Sequence, residues 1–183
     1  MNEKPYRVRL RDVTLGDLDL LDGWATDPES RSEFNDFGEP PSLMPRDVVA
    51  KGPLRNEHNG VLIVERLEDE RPIGTVGWHK VRYGPNPESD AWNCGIELRP
   101  EARGQGYGTE AQGLLAEYLF ETTSMNRVEA STDVANLAEQ RSLEKAGWVR
   151  EGVQRRAQFR AGEYHDLVTF SRLRTDLTSS PGS

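Results

Sequence analysis

Hydrophobic and polar residues change period several times along the chain, and each change marks an element. Tyr6-Arg7-Val8-Arg9-Leu10-Arg11 alternates, as a half-buried strand does. Thr14 then reads as a helix N-cap, with Asp17 three residues on in a capping-box-like position. Leu15, Leu18, Leu21 and Trp24 follow at helical spacing. Residues 27–39 predict a second short helical or irregular piece, ended by Pro40-Pro41, and residues 42–58 read as irregular, punctuated by Pro45 and Pro53. Three strands come next: the apolar run Gly60 to Glu65, the alternating Ile73 to Val81, and Ala91 to Leu98. A polar turn at 68–71 and a Gly/Pro/Asn loop at 84–87 separate them, which suggests an antiparallel meander.

The period then becomes helical. From Gly106, residues Ala111, Leu114, Leu115, Tyr118 and Leu119 share one helix face, to an end near Thr123. Val128 to Thr132 reads as a strand. Asn136 opens another helix that runs to Ala146, with Gly147 at its C-terminal cap. Val149 to Phe159 and Tyr164 to Leu173 predict two strands around an Ala161-Gly162 turn. This order predicts one α/β domain over residues 1–173, a mixed, mostly antiparallel sheet of about seven strands flanked by about four helices. Residues 174–183 are expected to form a mobile tail.

Composition narrows the function. At 183 residues, the chain can bury one substantial core. Its 31 acidic and 23 basic residues give a net charge of −8, which disfavours nucleic acid and anionic membrane and tolerates cationic amines. Cys94 is the lone cysteine, so no intrachain disulfide can form, and His58, His79 and His165 have no metal-ligand spacing. No metal is expected. No apolar run is long enough to span a bilayer, and Met1-Asn2-Glu3-Lys4-Pro5 lacks an apolar signal core. A cytoplasmic protein is expected, and the oligomeric state, monomer or homodimer, stays open.

The chemistry concentrates in Leu98-Arg99-Pro100-Glu101-Ala102-Arg103-Gly104-Gln105-Gly106-Tyr107-Gly108-Thr109, which joins a strand to an amphipathic helix. Glycines at 104, 106 and 108 allow close backbone approach to a ligand. Free N–H groups at the helix start, backed by the helix dipole, suit a pyrophosphate, and Arg103 can add positive charge. A Walker A loop would need Gly-Lys-Ser/Thr, and a Rossmann turn would need glycine where Thr109 stands. The bland alternative is a glycine-rich tight turn that binds nothing.

Arg103-Gly104-Gln105-Gly106-Tyr107-Gly108 resembles the Q/R-x-x-G-x-G/A signature of the Gcn5-related N-acetyltransferases. Asn136-Leu137-Ala138-Glu139-Gln140-Arg141-Ser142-Leu143-Glu144-Lys145-Ala146-Gly147-Trp148 resembles that family's N-x-A-S-x-R-x-L-E-K-x-G-F segment. Arg150-Glu151-Gly152 and the stretch Arg160 to Asp166 are similar to the branch that acetylates ribosomal-protein N-termini. The resemblance implies acetyl-CoA, or another acyl-CoA, as co-substrate. Residues 103–109 would hold its pyrophosphate, the free backbone near Ile96 and Leu98 its pantetheine arm, and Asn136 would bond the cofactor or simply cap its helix. The acceptor would be an amine, either a peptide N-terminus or a small molecule.

Amine acetylation needs a proton acceptor for the amine and a stabiliser for the departing thiolate. Glu97, beside the cofactor turn, is the candidate base. Two positions depart from the family pattern. Leu143 stands where many members have an acid tyrosine, and Glu139 stands where the related branch has serine. Glu139 is therefore the second catalytic candidate, and Gln158 stands where some branch members have a carboxylate. Tyr164-His165-Asp166 alternates strand faces and cannot converge on one point. Asp27, Glu29, Glu33, Asp36 and Glu39 could attract a cationic acceptor. The competing readings are a non-catalytic acyl-CoA-binding module and a nucleotide-binding protein.

Overall fold

The computed structural model describes residues 6–30, 32–40 and 43–177. Seven strands form one sheet: β1 (Val8–Asp12), β2 (Asn59–Arg66), β3 (Arg71–Arg82), β4 (Asp90–Leu98), β5 (Arg127–Asp133), β6 (Val149–Arg160) and β7 (Glu163–Leu173). Their order across the sheet is β1-β2-β3-β4-β5-β7-β6. Neighbours are antiparallel except β4 and β5, which run parallel. The helices are α1 (Leu18–Thr26), α2 (Arg46–Val49), α3 (Tyr107–Thr122) and α4 (Leu137–Lys145). The expected α/β domain, its meander and its element order are all present.

Alternation along the strands builds a core on each face. Leu62, Val64, Val76, Trp92 and Cys94 pack beneath α3 with Ala111, Leu115, Leu119 and Phe120. On the opposite face, Ile63 meets Val13, Leu18 and Leu21 of the α1 region and Val49 of α2.

Local signals place most boundaries. The Asp17 carboxylate accepts from the Thr14 N–H at 2.8 Å and its hydroxyl at 2.6 Å, opening a 3-10 turn that runs into α1. Gly147, at φ +82°, takes the left-handed conformation that ends α4. Three expectations change. Among the described residues of 27–39, no helix beyond a 3-10 turn at Pro28–Ser30 forms, with Asp27 and Ser30 spending their side chains on that turn. Within the stretch read as irregular, Arg46–Val49 forms a helix of four residues that buries Val49. Residues Arg174–Leu177, expected in the tail, form a 3-10 turn. The Arg174 guanidinium holds it by bonding the carbonyls of Phe120, Thr123 and Met125. Residues 178–183 of the expected tail lie outside the described residues.

Candidate active site

The parallel β4–β5 pairing lasts only for Trp92 with Val128 and Asn93 with Glu129. Beyond it the strands diverge, and the sheet opens into a cleft of about 560 Å³. Arg99 N–H donates to the Ile73 carbonyl, so in the antiparallel β3–β4 ladder the residues facing β3 are 99, 97 and 95. The N–H and C=O groups of Ile96 and Leu98 therefore face the cleft. Gly74 permits this tight approach, since a side chain there would run into the Glu97 carbonyl.

The glycine turn forms the wall on the α3 side. Gly104 and Gly106 have φ of +72° and +86°, and Gly106 is the N-cap of α3. The first helical bond runs from Glu110 N–H to the Gly106 carbonyl, so Tyr107, Gly108 and Thr109 have N–H groups without an acceptor inside the helix. They open a helix of sixteen aligned residues. Arg7 braces the turn, donating to Glu110 at 2.7 Å and to the Gln105 carbonyl at 2.9 Å. Arg103 lines the cleft, but its guanidinium is spent on the carbonyls of Leu98 (2.8 Å) and Ser30 (2.6 Å). The positive end of the site is thus made of backbone N–H groups together with Arg141 and Lys145, which also line the cleft.

The α4 wall begins at Asn136. Its Oδ1 accepts from the Glu139 N–H at 3.2 Å and its Nδ2 donates to Thr132 at 3.0 Å, so the capping role is realised in the fold. Glu139 is half-buried in the same cleft. Burial pushes its carboxyl up to about 7, against a hydrogen bond from Gln112 that pulls the other way. Leu143 is in the core, so no side chain from that position reaches the cleft.

Glu97 lies on the other face. Ile63, Thr75 and Glu97 are cross-strand neighbours, and Ile63 packs against α1, which puts Glu97 on the α1 side of the sheet. Ser32, Phe34 and Asn35 line the cleft with it. One opening through the sheet therefore holds both sequence candidates, Glu97 and Glu139, together with the glycine turn.

A cluster that the sequence reading missed lies beside the cleft, against Phe34. Asp133 accepts from Arg160 Nη2 at 2.6 Å and lies 3.2 Å from His165 Nδ1. Burial alone would raise the Asp133 carboxyl, but Arg160, the Ala135 N–H and His165 outweigh it and hold it below its ordinary range. Gln158 accepts from Arg160. Tyr164, His165 and Asp166 go separate ways: Tyr164 stacks edge-on against Phe159, His165 joins Asp133, and Asp166 accepts from the Arg156 N–H. The signal available for this cluster was an ionisable residue of opposite sign ending each of β5 and β6.

A second, shallower groove of about 640 Å³ lies between Tyr83 and Gln154. Its floor charges satisfy one another, Arg127 bridging Glu129 and Glu151. Among the described residues, no group of three or more His, Cys, Asp or Glu could hold a metal, and no helix is long and apolar enough to cross a membrane.

A seven-stranded sheet split between two parallel strands, with an N–H cradle at the split, is a geometry suited to a pyrophosphate-bearing donor. A family model described as "Acetyltransferase (GNAT) domain" matches residues 7–149, and the chain belongs to that acetyltransferase family. The relative named "Uncharacterized N-acetyltransferase p20", from Bacillus licheniformis, is 27% identical over 175 residues, 93% of this chain and 94% of its own. The fold is similar to spermidine N-acetyltransferase from Vibrio cholerae in complex with CoA and spermine, with a TM-score of 0.76 at 19% identity, covering 94% and 99% of the two chains. It is also similar to Mycobacterium smegmatis RimJ in complex with CoA-disulfide, with a TM-score of 0.73 at 19% identity, covering 94% and 85%.

Proposed function

We propose that this chain transfers acetyl directly, in a ternary complex, from acetyl-CoA to a primary amine entering from the α1 side, either a peptide N-terminus or a small amine. The observation that carries this reading is the single opening beyond Asn93 and Glu129, with an anion cradle on one side of the sheet and Glu97 on the other. Acetyl-CoA supplies an acyl group already activated as a thioester. The Tyr107, Gly108 and Thr109 N–H groups would hold its pyrophosphate, and the free edge of β4 at Ile96 its arm. Arg103 and Asn136 act by holding the walls in place.

The chain's own groups then divide the proton work. Glu97 accepts the proton from the amine, directly or through water. The Ile96 N–H faces the opening, where it can donate to a developing oxyanion. Glu139 carries a proton near neutral pH and can release it toward the departing sulfur. The test is free-thiol release from acetyl-CoA with a panel containing spermidine and peptides with free N-terminal alanine or serine. Turnover with an amine supports the reading. Tight coenzyme A binding without turnover across the panel makes the chain a non-catalytic acyl-CoA-binding module.

A further inference from the structure

Residues 27–30 and 32–35 flank the cleft, and arginines from both halves of the sheet hold them. On the β4 side, Arg99 donates to Asp27 Oδ2 at 3.2 Å and to Ser30 Oγ, and Arg103 donates to the Ser30 carbonyl. On the far side, Arg160 at the end of β6 donates to the Phe34 carbonyl at 3.3 Å, with its guanidinium carbon 5.8 Å from the Phe34 ring centroid. Between these anchors, Ser32, Phe34 and Asn35 line the cleft that also holds Glu97.

The Arg160 and Asp133 side chains are only 5% and 4% exposed. A buried ion pair is weak evidence for stability, because desolvation offsets most of the attraction. It does fix direction. One arm of the planar guanidinium is committed to Asp133, which aims the other at Gln158 and the Phe34 carbonyl. A lysine ammonium, a point charge on a flexible stem, cannot serve these acceptors with the same geometry. No hydrogen bond among the described residues joins Arg160 to the glycine turn.

We propose that Arg160, aimed by Asp133, is a positioning residue for the acceptor: it seats the Phe34 wall of the cleft and so sets acceptor affinity without touching the coenzyme A cradle. This rests on the acetyl-transfer reading above. The test compares the parent with Arg160→Lys and Asp133→Asn by coenzyme A calorimetry, by amide hydrogen exchange over residues 27–37, and by kinetics with the best amine of the panel. In Arg160→Lys, coenzyme A affinity should stay near the parent's. Exchange over 32–37 should quicken about tenfold and acceptor KM should rise about tenfold, the scale of one charge-assisted hydrogen bond, with kcat nearly kept. Unchanged exchange over 32–37, exchange raised evenly across all strands, or a fall in kcat at constant KM would each overturn the proposal. If Asp133→Asn does not fold, Arg160→Lys decides alone. If the parent binds no coenzyme A or no amine turns over, the transfer reading fails, and the exchange comparison still decides whether Arg160 seats the segment.

Discussion

Gln112 on α3 donates a hydrogen bond to the carboxylate of Glu139 on α4. The opposite end of the Gln112 amide accepts from Ser142 at 3.1 Å, and Ser142 lies 3.1 Å from Thr109 at the start of α3. With its proton committed to Gln112, Ser142 accepts from Thr109, so the chain of donors runs one way, from the glycine turn to Glu139. It ends on a carboxyl that burial pushes up and the neutral Gln112 donor pulls down.

That environment predicts a pH signature. Glu139 titrates near 7 in the fold against 4.5 ordinarily, so between these values the folded state binds more protons than the unfolded one. Parent stability should therefore fall as pH rises through this window and level off above it. The difference corresponds to at most roughly 3 kcal/mol, less where water reaches the half-buried side chain. Glu139→Gln should gain on the parent by up to that amount between pH 5 and pH 8 in urea unfolding. An equal difference between the two proteins at both pH values would refute the shift.

The cradle gives a second prediction. Gly106 sits at φ +86°, and a Cβ there would meet only Arg7 Nη2, at 3.0 Å, which can move. Gly106→Val therefore strains the backbone by about 1–2 kcal/mol rather than clashing with the core. The fold should survive by circular dichroism while coenzyme A affinity drops tenfold or more in calorimetry. Parent-like binding by the folded variant would remove the pyrophosphate assignment.

Much of this site was readable along the chain, because its signals are local. Gly106 needs a left-handed backbone, Asn136 needs a nearby N–H to cap, and Glu97 and Leu98 precede the turn that β4 feeds. What escaped depends on packing across the sheet. The side of the sheet on which Glu97 lies follows from the β2–β3–β4 register, which no single strand carries. Gln112 sits within an apolar helical pattern and gains meaning only where α3 meets α4. Asp133 and Arg160 are 27 residues apart in sequence and join only because β7 brings the ends of β5 and β6 together. The helix Arg46–Val49 is short and weak in propensity, and the burial of Val49 supplies what local sequence lacks.

Acceptor choice should respond to salt. Asp27 pairs with Arg99, and Glu29, Glu33, Asp36 and Glu39 are exposed acids of the segment beside the cleft. Cationic and neutral amines should outcompete an amine borne on an acidic peptide, and the advantage should shrink between 50 and 300 mM salt, roughly a halving of the screening length. Ranking kcat/KM across the panel at both salts checks this. A salt-insensitive preference for the acidic peptide would sink it.

The final prediction separates the two carboxyls. Glu97 is exposed on the α1 side, and Glu139 is half-buried behind the α4 wall, so the same amide substitution should act differently at each. A positioned general base contributes about 10²–10⁴-fold, and Glu97→Gln should lower kcat/KM by about that factor near neutral pH. Coenzyme A affinity should be nearly unchanged, because the cradle is backbone on the other face. Raising the pH should recover part of the rate, since more of the amine is then neutral without help. Glu139→Gln cannot give up a proton, so its deficit should be largest below pH 7, where the parent carboxyl is protonated, and should narrow above it. Pre-steady-state and steady-state pH profiles of both variants read this difference directly. If Glu97→Gln stays within about threefold of the parent, below the range for a base, while Glu139→Gln collapses at high pH, the roles are reversed and Glu139 is the base.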